Sequence, residues 1–184
     1  MKKVLWVKFG WSEYYRGGPV NGNFRWLVEG DGKGHEAFNF LPGPDDDYYV
    51  YVPPHGAHSA SPSSSDPDGW TVICLAKFPS QKGVHIVGWL ENATLIGKLK
   101  PRPEYKAGIG FRRDVQGVKF SYSIKSDRAF FVPPEERKRP FSHGSVKQAK
   151  FSYLAGPGIK ADPAKAEILA TLEAELSRLR SVAC

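Results

Sequence analysis

The sequence predicts an α+β protein, built as a small, mostly antiparallel β-barrel with few helices and a C-terminal amphipathic helix. Short apolar alternations, rich in β-branched and aromatic residues, are bounded by Gly, Pro or Asp along most of the chain. Near the end the apolar period changes to three and four residues, which is typical of a helix. With 184 residues, 41% of them hydrophobic, the chain suits one well-cored domain and an appendage.

Eight segments have the pattern of strands. In chain order they are "KKVLWVKF", "FRWLVEG", "DYYVYVPP", "WTVICLAKF", "VHIVGWL", "ATLIGKL", "VKFSYSI" and "AFFVPP". Turns are expected at "GPDDD" and "SQKG", a polar surface loop at "HGAHSASPSSSDPDG", and short helical turns near 11–17 and 134–139. Gly88 weakens the strand that holds it unless the strand bends there or another group approaches closely.

The C-terminal helix has clear start signals. Asp162 is the expected N-cap and Pro163 the first helical residue, followed by an apolar stripe of Ile168, Leu169, Leu172, Leu176 and Leu179. We therefore expect a main domain over 1–155 and a hinge with this helix over 156–184. The helix either packs back on the barrel or leads to a further effector domain or a homodimer partner.

The net charge of +7 is unevenly distributed. Lys and Arg against Asp and Glu number 8 and 10 in residues 1–96, 14 and 5 in 97–150, and 4 and 4 in 151–184. Basic charge interleaved with aromatics indicates a surface for a polyanion, although a solvated basic surface is the alternative. The expected nucleic-acid backbone contacts are Arg16, Lys98, Lys100, Arg102, Lys106, Arg112, Arg113, Arg137, Lys138, Arg139 and Lys147.

Catalytic and metal chemistry has no strong signal in the sequence. His55 and His58 lack a third ligand nearby, Cys74 lies in an apolar strand, and the acidic run 45–47 reads as a solvated turn. We therefore expect a binding domain without a cofactor or metal. Two unrelated cysteines, and the lack of a membrane span or signal peptide, favour a reducing cytoplasm.

The aromatic residues suggest what is bound. Trp6, Trp26 and Trp70 occupy strand positions where burial is the ordinary outcome. In contrast, "FGWSEYYRGGPVNGNF" gathers Trp11, Tyr14, Tyr15 and Arg16 in a glycine-rich loop. Aromatic side chains on loops beside cations stack on unpaired bases, and each such contact contributes about 1–3 kcal/mol.

Several motifs in fixed order resemble a known group of proteins. The segments "GWSEYYRG", "GHEAFNF", "DYYVYVPP", "HIVGWLENATL" and "VPPEERKRPF…GSVKQAKFSYL" resemble the N-terminal domains of HNH-type modification-dependent restriction endonucleases. "VICLAKFPSQKGVHIVGWLENATL" is similar to the core of EVE and YTH domains, which belong with SRA domains to the PUA-like superfamily. The resemblance covers roughly residues 4–155, and the nuclease half is absent from it. It implies a prokaryotic, cytoplasmic reader that partners a nuclease.

The resemblance also implies a base pocket, for which the candidates are Trp11, Tyr15, Asn23, His35, Glu36, Asn39 and Trp89. Trp11 and Trp89 would be walls, with burial in the core as the alternative for each. Asn39 or Glu36 would bond the base edge, or else His35 and Glu36 form a structural pair. The expected function is recognition of a modified base in double-stranded DNA by base flipping, with C5-modified cytosine ahead of methylated adenine. An RNA-binding module of YTH or PUA type, and a protein-interaction module using the C-terminal helix, are the alternatives.

Overall fold

A seven-stranded sheet and one long α-helix dominate the computed structural model, which describes residues 2–21, 34–53, 61–103, 120–141, 143, 146 and 149–183. The α+β class is therefore confirmed. The strands are β1 (Val4–Phe9), β2 (Tyr48–Val50), β3 (Trp70–Ala76), β4 (His85–Pro101), β5 (Ser121–Ser126), β6 (Arg128–Phe131) and β7 (Phe151–Ala155), and the helix is α1 (Pro163–Leu179). Two 3-10 turns cover His35–Phe38 and Pro134–Glu136.

The sheet is mostly antiparallel, and within the described ranges it is open. Its strand order is β2-β5-β4-β3-β1-β7, with β6 also paired to β4. Only β1 and β3 run parallel among these strands. The expected closed barrel is not what the described strands form, because β2 pairs with β5 and β7 pairs with β1, and the two outer strands do not pair with each other.

Strand β4 is longer than the sequence suggested. The two predicted strands around Glu91 and Asn92 are one strand of 17 residues, whose first half pairs with β3 and β6 and whose second half pairs with β5. Asn92 lies in the left-handed region at φ 54, next to an irregularity in the β3–β4 register. The polar pair therefore marks a bulge within a strand and not a turn between two strands.

Alternating side chains divide the interior into two hydrophobic cores. In β1, Leu5, Val7 and Phe9 face the first core, while Val4 and Trp6 face the second. Of the expected core tryptophans, Trp6 and Trp70 are fully buried and Trp26 lies outside the described residues.

Helix α1 completes the second core, so the alternative in which it packs back on the sheet is the one observed. Its buried side chains are Ile168, Leu172, Leu176 and Leu179. The predicted start is confirmed, since the Asp162 carboxylate accepts a hydrogen bond from Ala164 N at 2.9 Å and Pro163 is the first residue. Because the apolar stripe is covered by the chain's own sheet, a homodimer would need another surface.

Every helix in the described part of the chain is too short or too polar to span a bilayer.

Gly88 lies at a close approach, and the β3–β4 register is also irregular between Gly88 and Ile86. A Cβ at this position would lie 2.3 Å from Phe40 Cζ and 2.4 Å from the Phe130 carbonyl oxygen. The next residue, Trp89, is fully buried and stacks on Phe130 with ring centroids 4.9 Å apart. Hydrogen at position 88 therefore lets the 34–43 segment pack directly on β4.

We predict that Gly88→Ala destabilises the protein by about 1–3 kcal/mol, because the added methyl overpacks a rigid contact with Phe40 and a backbone carbonyl. Urea unfolding measures the change. Gly18→Ala is the matched control, since nothing lies within 4 Å of a Cβ there and its φ is not positive. Equal unfolding free energies for the two variants would contradict the close-approach explanation.

Candidate nucleic-acid interface

Residues 11–21, here called the aromatic loop, leave the end of β1 and are closed at their base. Trp11 and Asn21 exchange backbone hydrogen bonds of 2.9 and 2.6 Å. Tyr15 anchors the middle of the loop at φ 50, and its hydroxyl donates to the Gly10 carbonyl at 2.8 Å. Its ring is fully buried between Phe9 and Phe40. Tyr15 is therefore the loop's attachment to the first core and does not line the pocket described below.

The Arg137 side chain clamps the aromatic loop, although it lies 125 residues after Ser12 in the sequence. Its Nε donates to Val132 O at 2.9 Å, Nη1 to Ser12 O at 2.8 Å and Nη2 to Glu13 O at 2.7 Å. The guanidinium carbon lies 4.8 Å from the centroid of the Trp11 ring. Arg137 was expected to bind phosphate, but it is 6% exposed and its donors bind backbone carbonyls. In this arrangement it is a structural cation.

A pocket of about 650 Å³ opens beside this loop. It is lined by Trp11, Ser12, Glu13, Tyr14, Arg16, Gly18, Pro19, Asn21, Phe78 and Pro79. Tyr14 and Phe78 are large apolar side chains exposed to 56% and 37%, and Phe78 meets the Trp11 ring edge to face at 4.8 Å. The volume is within the range of small-molecule sites, roughly 300–1,000 Å³. We call this cavity the aromatic pocket.

Trp11 is both a pocket wall and a core residue. It lines the aromatic pocket, yet it is only 6% exposed and belongs to the first core. The pocket interpretation had the absence of an apolar alternation around Trp11 in its favour, whereas in the fold Arg137, Phe78 and His85 enclose the side chain. Truncating Trp11 would therefore disturb folding and binding together, and the better probes of the pocket are Tyr14 and Phe78.

The other expected pocket residues that the structure describes are not part of the aromatic pocket's lining, and most of their polar groups are bonded within the fold. Asn39 is fully buried, donates to Tyr51 O at 2.9 Å and accepts from Tyr51 N at 2.8 Å. His35 Nδ1 accepts from Ser121 N at 2.9 Å. Trp89 is buried in the second core, and its Nε1 donates to Glu91 at 3.3 Å. Asn23 lies outside the described residues.

Glu36 is a buried carboxylate behind the aromatic loop. It is 1% exposed and accepts a hydrogen bond from Gly10 N at 3.3 Å. Burial raises the pKa of this carboxyl, an effect that backbone hydrogen bonds and the Lys150 charge only partly offset. The geometry makes Glu36 a support for the turn between β1 and the loop.

The expected backbone-contact residues divide into buried and exposed sets. Arg102 is 3% exposed and donates to the carbonyl oxygens of Leu41 and Tyr49, so it stabilises the fold as Arg137 does. The exposed set is Arg16, Lys98, Lys100, Lys138 and Arg139. Arg16 lines the aromatic pocket, and Lys138 and Arg139 directly follow Arg137 in the sequence. Lys106, Arg112, Arg113 and Lys147 lie outside the described residues.

Sequence reasoning missed the contribution of Phe78 and Pro79, which lie between β3 and β4. The available signal was the Phe-Pro pair itself. It follows the apolar alternation of β3, at a position where an aromatic side chain is not needed to fill the core.

In the ranges described, no group of three His, Cys, Asp or Glu residues could hold a metal ion. Burial raises the pKa of the Cys74 thiol, as expected for an unreactive core cysteine.

The site is thus a cleft with aromatic walls that is also lined by one cation, Arg16, and one carboxylate, Glu13. Comparisons of the chain with protein-family models, with curated proteins and with solved structures give no match. The interpretation of the site therefore depends on its geometry and chemistry.

We predict that Arg137→Lys lowers the free energy of unfolding by about 1.5–3 kcal/mol or more, because the donors of an ammonium leave one nitrogen and cannot reach three carbonyls that are bound by three separate guanidinium nitrogens. Urea unfolding of the variant measures the loss. The same substitution at the exposed neighbour, Arg139→Lys, is the control and should change stability by no more than about 0.5 kcal/mol. Similar effects at the two positions would mean that the clamp contributes little.

We predict a pH-dependent difference between the wild type and Glu36→Gln. Because the folded-state pKa of Glu36 is raised, the wild type is favoured at low pH and loses stability as pH rises from about 4.3, the ordinary pKa of Glu, through the folded value. Glutamine keeps an acceptor for Gly10 N and lacks this titration. Urea midpoints from pH 4 to pH 8 should therefore shift in favour of the variant as pH rises. A constant difference would show that Glu36 does not titrate in this range.

Proposed function

We propose that this chain is a nucleic-acid-binding domain that receives a modified base, extruded from duplex DNA, in the aromatic pocket. The carrying observation is that one cleft combines exposed Tyr14 and Arg16, from the loop that Arg137 holds in place, with exposed Phe78 from the β3–β4 connection. Exposed aromatic surface is costly in water, and a ligand with a flat, apolar face would cover it.

The free energies of base extrusion and aromatic stacking are compatible with recognition of a single extruded base. Extruding a base costs a few kcal/mol, and stacking on aromatic side chains returns about 1–3 kcal/mol per contact. A methyl group that fills an apolar gap adds about 1–3 kcal/mol of discrimination. These magnitudes favour C5-modified cytosine, whose added group is small and apolar, and methylated adenine follows for the same reason.

Sequence-independent affinity would come from exposed cations. Arg16 lines the aromatic pocket, Lys138 and Arg139 are exposed directly after Arg137 in the sequence, and Lys98 and Lys100 are exposed on β4. Phosphate contacts of this kind release counterions and give a binding constant that falls with salt. In this proposal the domain binds and does not catalyse. The resemblance to PUA-like readers of modification-dependent endonucleases makes a nuclease the partner that we propose.

We predict that Tyr14→Ala and Phe78→Ala each reduce the preference for modified over plain DNA by about 1–3 kcal/mol, because each removes one stacking surface. Fluorescence anisotropy with matched duplexes containing 5-methylcytosine, N6-methyladenine or neither measures the preference. Leu99→Ala is the control, since Leu99 is 38% exposed like Phe78 but lies on β4 outside the pocket.

An RNA hairpin of the same length separates DNA from RNA as the ligand in this experiment. Equal affinity of the wild type for all duplexes would refute the reading of a modified base. Tighter binding to the hairpin than to any duplex would replace the DNA proposal with an RNA-binding function.

A further inference from the structure

Two side chains of opposite charge line the aromatic pocket without forming an ion pair. Glu13 and Arg16 are both exposed, and both belong to the lining of the cleft. Among the residues that the structure describes, the Glu13 carboxylate has no ion-pair or hydrogen-bond partner, and the Arg16 guanidinium has no carboxylate partner. Both charges are therefore available to a ligand in the pocket.

The other polar side chains of the described lining do not distinguish a donor from an acceptor. Ser12 and Tyr14 carry hydroxyls and Asn21 carries an amide, and each of these groups can both donate and accept a hydrogen bond. A carboxylate only accepts, and a guanidinium only donates. Glu13 and Arg16 are therefore the lining side chains that determine which polar groups of a ligand are complementary to the pocket.

Aromatic stacking and an apolar gap do not separate 5-methylcytosine from thymine. Both pyrimidines are flat, and both carry a methyl group at C5. They differ in the group on C4, which is an amino donor in cytosine and a carbonyl acceptor in thymine. A pocket that selects 5-methylcytosine therefore needs a polar side chain facing this group.

We propose that Glu13 is the specificity-determining residue of the aromatic pocket and accepts a hydrogen bond from the exocyclic amino group of the bound base. Arg16 donates to the ring nitrogen beside that group. Cytosine and adenine both present an amino donor next to a ring acceptor, whereas thymine presents a carbonyl oxygen that a carboxylate repels. The ligand class is thus an amino-bearing base. Its identification as a base rests on the proposed function.

Glu13 also lies near the clamp. Burial lowers the pKa of Arg137, and the charge of Glu13 is one of the influences that raise it. Replacing Glu13 therefore also perturbs the support of the loop. A weaker clamp would reduce the affinity for every base by the same factor, whereas loss of the amino contact would change the ratio of affinities between amino and keto bases. This ratio is the quantity to measure.

Fluorescence anisotropy compares the wild type with Glu13→Gln on one duplex sequence that carries 5-methylcytosine, cytosine or thymine opposite an abasic site. The abasic partner removes the base pair, so the cost of unpairing does not differ between the bases. The wild type should bind 5-methylcytosine more tightly than thymine. Glu13→Gln should reduce this ratio about tenfold or more, because an amide replaces a charged acceptor and can also donate to thymine O4. The control is Glu167→Gln, at an exposed position of α1, which removes the same charge and should leave the ratio unchanged.

Two outcomes would overturn the inference. One is an unchanged ratio in Glu13→Gln, even if both affinities fall, since a purely structural residue affects both bases alike. The other is a wild type that binds thymine as tightly as 5-methylcytosine. Failure of the proposed function has a different signature, in which cytosine and 5-methylcytosine bind equally, both more tightly than thymine, and both lose that advantage in Glu13→Gln.

Free nucleosides give a second measurement without DNA. Thermal unfolding is recorded with millimolar 5-methyldeoxycytidine or thymidine, since a ligand that binds the folded protein raises its midpoint. The wild type and Glu167→Gln should be stabilised more by 5-methyldeoxycytidine than by thymidine, and Glu13→Gln should lose this difference. Equal midpoints of the wild type with the two nucleosides would overturn the role of Glu13, whatever the affinity for duplex DNA.

Discussion

The buried Arg137 guanidinium joins two parts of the chain that are 125 residues apart, and the shape of the aromatic pocket depends on this joint. A buried cation is costly unless several acceptors surround it, and here three backbone carbonyls supply that environment. Two of the carbonyls belong to the aromatic loop, so Arg137 holds the loop from outside in addition to the backbone bonds between Trp11 and Asn21 at its base. A loop fixed before a ligand arrives loses little conformational entropy on binding.

The rest of the fold supports the same loop through the first core. Tyr15 enters that core between Phe9 and Phe40, and Phe40 in turn contacts β4 at the position where only glycine fits. The second core, on the other side of the sheet, is closed by α1. The pocket therefore lies on a sheet that is packed on both faces, which keeps its walls in one geometry.

Sequence patterns predicted those strands and the helix that depend on residues close together in the chain. Alternation located β1 and β3, and the cap, proline and stripe located α1, because each of these features depends on residues close in sequence. The roles of Arg102 and Arg137 could not be predicted, since their acceptors come from segments that meet only in the fold. The same limit hid Phe78, which becomes a pocket wall only because β3 ends beside the aromatic loop. At Glu91 and Asn92 a polar pair separated two predicted strands, but the pairing of both halves of β4 keeps the strand continuous.

The number of charged residues in a sequence segment also does not give the charge beside the aromatic pocket. The excess of Lys and Arg lies in 97–150, yet Arg102 and Arg137 from that range are buried, and Lys8 and Lys77 come from the net-negative part of the chain. Lys8 near the end of β1, Lys77 after β3 and Lys150 before β7 lie at one edge of the sheet, because β1 and β3 end there and β7 begins there. Along β1 and into the loop, Phe9 and Trp11 belong to the first core, and Trp11 also lines the pocket, whereas Lys8 lies on the opposite face with the other lysines. Residues that are adjacent in the sequence therefore lie on different faces of the sheet, so a count of charge along the chain does not give the charge beside the pocket.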